Sequence, residues 1–292
     1  MFQRLKVWGL RRYYHHISHR GWKGHIGPPT WNPLQIPGPA GPIHARMYAS
    51  HSGGDKPLIV YFHGGGWVIG DLDTHHPFCQ ILSDRSGCTV ISIDYRLAPE
   101  HPFPAALEDS LAATRWIAGH IGDFGPSNHT LVVAGDSAGG NLAVCTCLEL
   151  EAATRAMVAG EVVKYPVVDH YSADPPSYTE RAKGQTLTSG FMVWFWDTYL
   201  GQCPPDSPRA RRAMPLHSEQ LASLPPTFLI TAEYDPLRDE GIAFAGKLRE
   251  AGVPLQYRHF DTAAHGFACS EGPNPDFEAY LGDLVDWLAR LQ

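Results

Sequence analysis

Ser137 is the residue whose surroundings most clearly predict chemistry, because a glycine lies two positions before it and another two positions after it. Residues 135–139, G-D-S-A-G, fit the pattern G-x-S-x-G, in which a strained turn lifts a serine hydroxyl clear of a sheet. The glycines let a strand and a helix pass closely, since a Cβ at either position would collide with the other element. The apolar run at 131–134 is typical of a strand, and residues 141–145 are typical of a helix. The pattern therefore predicts a nucleophilic serine between the two.

A serine hydroxyl needs a histidine to take its proton, and that histidine needs an acid to fix its tautomer. In sheets that carry this turn, the acid and then the histidine follow the serine along the chain. His265 lies in a stretch of small residues after the last predicted strand, where we expect a loop. His259, the other histidine in this part of the chain, falls within the strand pattern itself. We therefore expect His265 to be the base for Ser137.

Asp235 is the predicted acid, since it comes just after a predicted strand and Pro236 biases it away from helical backbone. Asp239 is the rival acid, but it falls inside the next predicted helix and is more typical of a surface residue in a first helical turn. Ser137, Asp235 and His265 would then all lie at the carboxyl ends of strands, where open α/β sheets carry their sites.

A run of three glycines at 64–66 directly follows His63 and the buried strand pattern at 58–62. Stabilising the oxyanion of an acyl transfer requires backbone N–H groups that point at one oxygen, and residues without side chains allow this. An ordinary tight turn is the alternative for an isolated glycine run. The position of this run one strand upstream of the Ser137 motif favours the oxyanion role.

Strand and helix patterns alternate along most of the chain. The predicted strands are 43–48, 58–62, 88–94, 131–136, 162–168, 227–232 and 255–260, and the predicted helices are 74–85, 105–120, 238–251 and 276–291. This alternation predicts a mainly parallel sheet with right-handed crossovers. Residues 21–42 are dense in glycine and proline and are predicted to hold no long regular element. Residues 169–220 break the alternation and contain an aromatic helix at 191–200, which predicts an insertion that caps the sheet.

The composition limits the classes of protein to which the chain can belong. At 292 residues the chain is long enough for one large α/β domain. Its net charge of −7, with 30 acidic and 23 basic residues and no basic block in the body of the chain, argues against a nucleic-acid partner. Six cysteines without a C-x-x-C pair are typical of reduced thiols in the core of a cytoplasmic protein.

The first residues of the chain carry arginines and lysine around a short apolar centre, which is too short for a signal peptide. No stretch of 18 apolar residues is present, so no integral membrane span is predicted. Residues 2–17 are expected to form a helix that lies over the fold as part of a lid. A helix lying in a membrane interface is the alternative.

Two histidine pairs, His15-His16 and His75-His76, raise the question of a metal site. Adjacent histidines in extended chain point apart, and no acidic or cysteine partner lies at ligand spacing, so we expect surface histidines and no metal. The glycine run at 64–66 lacks the Lys-Ser/Thr ending of a phosphate loop and the spacing of a dinucleotide loop. The sequence therefore predicts no cofactor.

The sequence resembles the hormone-sensitive-lipase-like family of α/β-hydrolases, which is marked by His-Gly-Gly-Gly, here 63–66, and Gly-Asp-Ser-Ala-Gly-Gly, here 135–140. Residues 94–104, 235–241 and 265–267 match the family as well, in the same order along the chain. The resemblance implies an α/β-hydrolase fold: a mostly parallel eight-stranded sheet with helices on both faces and a helical cap. It places the catalytic domain at 43–169 and 221–292, an N-terminal cap segment at 1–42 and a cap insertion at 170–220.

The same resemblance implies a role for each motif residue. Ser137 would be the nucleophile, Asp235 the acid and His265 the base, while His63 would anchor the glycine loop. The oxyanion hole would consist of the backbone amides of Gly65, Gly66 and Ala138.

These roles predict a serine carboxylesterase that hydrolyses esters with short to medium acyl chains through an acyl-enzyme intermediate. The expected partner is a small-molecule ester. An amidase or carbamate hydrolase is the enzymatic alternative, since the sequence does not separate the leaving groups. A non-catalytic small-molecule receptor on the same scaffold is disfavoured, because serine, aspartate and histidine are all present at the three predicted catalytic positions. The resemblance also allows a homodimer that forms through the last strand. Residues 255–260 neither favour nor exclude such a dimer.

Overall fold

The computed structural model describes residues 2–28, 30–49, 56–124, 128–183, 185–269 and 272–291. Its strands are β1 Asn32–Gly38, β2 Gly41–Tyr48, β3 Leu58–Phe62, β4 Val90–Asp94, β5 Leu131–Asp136, β6 Val158–Lys164, β7 Thr227–Tyr234 and β8 Leu255–Ala264. They form one sheet in the order β1-β2-β4-β3-β5-β6-β7-β8, in which β1 and β2 are antiparallel to their neighbours and the remaining pairs are parallel. The predicted mostly parallel eight-stranded sheet is confirmed.

Ten helices belong to the described residues. They are α1 Phe2–Arg20, α2 His76–Ser86, α3 Ala105–Gly119, α4 Ala138–Glu149, α5 Ala152–Arg155, α6 Pro176–Glu180, α7 Ser189–Leu200, α8 Pro208–Arg211, α9 Arg238–Glu250 and α10 Pro275–Leu288. Side chains of α3, α4 and α9 share one apolar core, and those of α2 and α10 share another. Alternate residues of β3 enter the two cores, Val60 the first and Tyr61 the second, because successive side chains of a strand point to opposite faces. Helices therefore cover both faces of the sheet, as predicted.

The prediction that residues 21–42 hold no long regular element is wrong for β1. This strand pairs along its whole length with β2, for example Leu34 with Ala45, despite Pro33 and Pro37 within it. Proline is tolerated in an edge strand, where its missing N–H faces away from the neighbouring strand. β1 lies at the edge of the sheet, which explains how a proline-rich segment can join it.

Two strand boundaries differ from the prediction in ways that matter for the site. β6 ends at Lys164, before the predicted end at residue 168, because Tyr165 has a φ of 35° and Pro166 cannot donate to a ladder. β8 continues four residues past its predicted end, to Ala264. His265 therefore begins the turn that directly follows the strand, instead of lying five residues past the strand's end.

The predicted aromatic helix is confirmed as α7, which begins after Thr188, whose hydroxyl accepts the backbone N–H of Phe191 at 3.2 Å. Its inner face packs on the glycine loop, where the Trp67 and Tyr199 rings stack with centroids 4.1 Å apart. Helix α1 lies against the same region, since the guanidinium of Arg11 donates to the backbone oxygen of Val68 at 2.8 Å. No helix within the described ranges combines the length and the apolar character needed to cross a bilayer.

Glu161 is an acid in the centre of the sheet. Its side chain is fully buried in β6, and neither carboxylate oxygen has a hydrogen-bond partner among the described residues. Burial raises the pKa of this carboxyl to about 8. Because an unfolded glutamate ionises near pH 4.3, the folded chain holds a proton that the unfolded chain loses above about that pH. The stability that this proton confers is present below about pH 4 and is lost as the pH rises towards 8.

Glu161→Gln is therefore expected to raise the free energy of unfolding at neutral pH by roughly 3 kcal/mol, since glutamine has the same shape and no proton to lose. The gain over the wild type should shrink on acidification to pH 5. Urea unfolding at a series of pH values measures it, with Glu219→Gln, an exposed glutamate, as the matched control. A gap between Glu161→Gln and wild type that stays constant from pH 5 to 8 would contradict the prediction.

Candidate active site

Ser137 occupies a sharp turn between β5 and α4, with φ 54° and ψ −119°. Its backbone N–H donates to the carbonyl oxygen of Lys164 on the neighbouring strand β6, at 2.9 Å. A Cβ at Gly135 would lie 2.2 Å from the carbonyl oxygen of Gly139, and one at Gly139 would lie 2.1 Å from that of Phe62. Both glycines of the motif are thus required by the close passage of strand and helix. The turn holds the serine in a backbone conformation with positive φ that L residues rarely adopt.

The structure brings Ser137, His265 and Asp235 together. His265 Nε2 lies 3.0 Å from the Oγ of Ser137, and His265 Nδ1 lies 2.7 Å from the Oδ2 of Asp235. Asp235 is fully buried, and its Oδ1 accepts the backbone N–H of Leu237 at 2.8 Å. A carboxylate held in this way accepts the Nδ1 proton, which leaves the Nε2 lone pair for the serine hydroxyl. The arrangement can move a proton from Ser137 to His265.

Asp239, the rival acid, points elsewhere. It lies in the first turn of α9, as the sequence predicts, and its Oδ1 pairs with Arg238 at 2.7 Å. Its Oδ2 accepts the backbone N–H of Ser177 at 2.8 Å. The carboxylate is thus engaged between α9 and α6.

The glycine loop lies beside the serine. Gly65 and Gly66 have φ values of 119° and 59°, and both line the same cavity as Ser137. A Cβ at Gly66 would lie 2.2 Å from the Phe195 ring, so only glycine fits there. Within the described residues, the N–H groups of these two glycines and of Ala138 make no hydrogen bond to a backbone carbonyl. Three backbone donors near the serine are therefore available to another acceptor.

His63 holds this loop from inside. Its Nδ1 lies 2.8 Å from the Gly64 carbonyl oxygen, and its own carbonyl accepts the hydroxyl of Tyr95 at 2.7 Å. The two rings stack with centroids 4.3 Å apart. Burial lowers the pKa of His63 to about 4, and the neighbouring His75 contributes to the same effect, so the imidazole is neutral at physiological pH.

The cavity above Ser137 has a volume of about 340 Å³. Its wall is mostly apolar and comes from α1 and α7, with Leu10, Tyr14, Ile17, Phe191, Met192 and Phe195 among its residues. Thr186, just before α7, donates its hydroxyl to the backbone oxygen of His265, which ties this wall to the imidazole. The sequence had no signal for that contact, because the two residues are 79 positions apart.

Residues 59–269 match a family described by its α/β hydrolase fold. The chain belongs to this α/β-hydrolase family. The match spans most of the sheet and includes every residue of the cluster around Ser137, so the family resemblance seen in the sequence is confirmed.

The chain is also similar to proteins whose sequences or structures are known. The chain is 43% identical over 241 residues to Carboxylic ester hydrolase LipN of Mycobacterium tuberculosis, covering 80% of this chain and 63% of LipN. It is 40% identical over 245 residues to Esterase LipI of the same organism, covering 83% of this chain and 76% of LipI. The chain thus spans less than two thirds of the length of LipN. The solved structure of EstE1, a thermostable carboxylesterase from a metagenomic library, superposes with a TM-score of 0.90 at 35% identity and covers 98% of each chain.

Behind the serine, this α/β-hydrolase contains a buried polar cluster that the sequence did not predict. His75 and His76 are 1% and 7% exposed, so the expectation of surface histidines is wrong for this pair. Each has a polar partner within the fold: His75 Nε2 lies 3.3 Å from Asp136, and His76 Nδ1 lies 3.1 Å from the Tyr48 hydroxyl. Contacts between residues so far apart in the chain cannot be predicted from sequence spacing.

Asp136, the residue before Ser137, is the centre of that cluster. It accepts the Tyr61 hydroxyl and the Gly64 N–H, the latter at 3.1 Å. Although burial opposes its charge, His75, Lys164 and Tyr61 together hold the pKa of Asp136 well below its usual range. The ionised carboxylate thereby fixes the start of the glycine loop next to the serine.

His75, Asp136 and Cys269 are the residues in the described ranges whose ligand atoms lie close enough to hold a metal ion, within 4.8 Å of one another. Their donors are already engaged. Asp136 accepts from Tyr61 and Gly64, and Lys164 Nζ lies 2.6 Å from Cys269 Sγ. A metal ion here would compete with the positive charge of Lys164.

Proposed function

We propose that this α/β-hydrolase is a serine carboxylesterase that cleaves esters with short to medium acyl chains through an acyl-enzyme intermediate. The observation that carries the proposal is the chain of two contacts, Ser137 Oγ to His265 Nε2 at 3.0 Å and His265 Nδ1 to Asp235 Oδ2 at 2.7 Å, at the base of an apolar cavity. The names of the similar proteins LipN, LipI and EstE1, all ester hydrolases, support it.

In the proposed reaction, Ser137 attacks the ester carbonyl while His265 takes the hydroxyl proton. The imidazolium then gives this proton to the leaving alcohol, which departs and leaves the acyl group on Ser137. Water enters and attacks the acyl carbonyl while His265 takes its proton. The second tetrahedral intermediate then breaks its bond to Ser137 Oγ, which takes the proton back from His265, and the carboxylic acid leaves. Asp235 accepts the Nδ1 proton of His265 and stabilises the imidazolium.

The negative oxygen of both tetrahedral intermediates is assigned to the backbone amides of Gly65, Gly66 and Ala138. Their lack of a backbone acceptor supports this assignment, since an unengaged donor can bind the oxyanion without rearrangement. Each such donor typically stabilises the transition state by about 3 kcal/mol.

We assign the cap to two segments that flank the cavity. One is the insertion 170–220, which contains α7, and the other is the N-terminal segment with α1. Because β1 pairs within the sheet, we place the end of the N-terminal cap segment before Asn32 and not at residue 42. The catalytic domain then comprises the sheet with the helices that cover its two faces.

The other candidates rest on weaker observations. An amidase or carbamate hydrolase would use the same residues and differ in the protonation of a poorer leaving group. A receptor would not require the contact between Ser137 Oγ and His265 Nε2. Comparing kcat/KM for p-nitrophenyl butyrate with that for the matching anilide distinguishes the three: we expect the ester to be cleaved much faster.

The cavity volume predicts the acyl-chain preference. About 340 Å³ is near the lower end of the range for small-molecule sites, so kcat/KM for p-nitrophenyl palmitate should be at least about tenfold below that for butyrate. Phe191→Ala, which removes a ring from the wall, should raise kcat/KM for the longer esters relative to butyrate. Trp194→Ala changes a ring of the same helix that does not line the cavity, and should leave the profile unchanged. Equal or better turnover of emulsified long-chain triglyceride than of butyrate would contradict the assignment.

A further inference from the structure

Lys164 is a buried cation that forms no ion pair with a carboxylate among the described residues. Its side chain is fully buried at the end of β6, and its ammonium lies 3.4 Å from the centre of the Phe78 ring. The only hydrogen-bond partner of Nζ among the described residues is the Sγ of Cys269. A lysine is almost never fully buried unless a carboxylate pairs with it.

The distance between the two atoms is the decisive observation. Lys164 Nζ and Cys269 Sγ are 2.6 Å apart. A hydrogen bond to sulfur is longer than the 2.7–3.2 Å of an N–H···O bond, because sulfur is the larger atom. A direct sulfur–nitrogen bond would be much shorter than 2.6 Å. The separation fits two atoms joined through one small bridging atom.

Oxidants can reach this pair. Cys269 lines the cavity that also contains Ser137, whereas Lys164 lies behind it. The Tyr61 hydroxyl, 3.4 Å from Sγ, adds a further polar contact to the same thiol. Burial and the nearby Asp136 raise the pKa of the Cys269 thiol to about 11, opposed by Lys164, so we expect the oxidation to be slow.

We propose that Lys164 and Cys269 form a reversible covalent cross-link through one oxygen atom, Cys–S–O–NH–Lys, when the protein is exposed to dioxygen. One O₂ accepts four electrons, two from the sulfur and two from the nitrogen. One oxygen atom forms the S–O and O–N bonds, and the other leaves as water with the two hydrogens lost from the thiol and the amine. Two equivalents of a dithiol supply the four electrons that restore the free thiol, the free amine and a second water.

The cross-link would join two segments that hold the active site. The Lys164 carbonyl accepts the Ser137 N–H, and Cys269 ends the turn that begins at His265, with its N–H on the Gly266 carbonyl at 2.9 Å. Oxidation would thus fix the segment of the base to the strand that supports the nucleophile. An effect on ester turnover rests on the proposed function, but the cross-link itself does not.

The experiment compares the full chain purified in air with the chain purified anaerobically with dithiothreitol. Intact-mass spectrometry should show the air-exposed protein heavier by about 14 Da, one oxygen less two hydrogens, and dithiothreitol should abolish the difference. Tryptic mapping should show missed cleavage after Lys164 and a peptide cross-linked to Cys269. Both readouts use the wild-type protein, so they do not depend on the folding of a variant or on esterase activity.

Variants separate the pair from other thiols. Cys269→Ser and Lys164→Met should each abolish the 14 Da increase, whereas Cys79→Ala, a matched buried thiol on the same side of the sheet, should retain it. Any of three results would overturn the proposal: a gain of about 16 or 32 Da on Cys269 with Lys164 still cleavable, a loss of about 2 Da from a direct S–N bond, or no change after prolonged exposure to air and peroxide.

Discussion

Replacing Ser137 with alanine is expected to lower kcat for p-nitrophenyl butyrate by about a million-fold. The methyl group of alanine offers no oxygen for the acyl-enzyme, so the two-step route through His265 is lost. Turnover above the uncatalysed rate would then come only from the glycine loop and the cavity, which can still bind the ester and orient a water molecule. A spectrophotometric assay with the purified variant measures the loss.

The fold of this variant should remain intact. Serine and alanine both carry a Cβ, so the positive φ of 54° at position 137 costs each of them about the same. The hydroxyl contributes one contact, to His265 Nε2 at the edge of the cavity. We therefore expect the thermal midpoint to stay within a few degrees of the wild type, as measured by circular dichroism.

Ser110→Ala provides the matched control, because Ser110 is a fully buried serine in α3 whose hydroxyl bonds the Ala106 carbonyl at 2.8 Å. It should lose some stability and keep its turnover. Esterase activity retained by Ser137→Ala at more than about a thousandth of the wild-type rate would refute Ser137 as the nucleophile.

Much of the fold was predictable because its signals are local. Strand β3 is an unbroken apolar run, β5 begins with four apolar residues, and β7 is rich in β-branched and aromatic residues. The backbone near Ser137 is constrained by glycines at 135 and 139 that neighbour it in the chain. The order of acid and base along the chain follows from the topology, since successive parallel strands deliver their carboxyl ends to one edge of the sheet. The positions of the strands therefore pointed to Asp235 and His265, with Pro236 as further support for Asp235.

The features that the sequence did not predict depend on partners outside the segment itself, and most of these partners are far along the chain. β1 is a strand because it pairs with β2 along its whole length, although its own sequence contains two prolines. His75 is buried next to a polar partner, Asp136, which lies 61 positions away in the chain. The contact of Lys164 with Cys269 spans 105 positions. Such pairings are determined by packing, and they cannot be recognised in a single sequence.

Replacing Asp235 with asparagine is the second large expected effect, a fall in kcat of about ten-thousand-fold. The amide is the same size, and its oxygen can still accept the Leu237 N–H that Asp235 Oδ1 accepts at 2.8 Å. Its NH₂ group would then face His265 Nδ1 and donate to it. Because Nδ1 would act as an acceptor, the imidazole proton would move to Nε2, the atom that must accept the proton of Ser137. The KM should change far less than kcat, since Asp235 does not line the cavity.

Asp239→Asn separates this tautomer effect from a general loss of negative charge. Asp239 lies four positions further along and binds Arg238 and the Ser177 N–H, so its replacement removes one charge from the same region without touching His265. Its kcat should stay within a few-fold of the wild type, although the free energy of unfolding should fall by about 1 kcal/mol with the weakened pair. Equal losses of kcat in the two variants would mean that charge alone matters. A small loss in Asp235→Asn would show that His265 finds its tautomer without the carboxylate, and the proposed relay of contacts would fail at its first step.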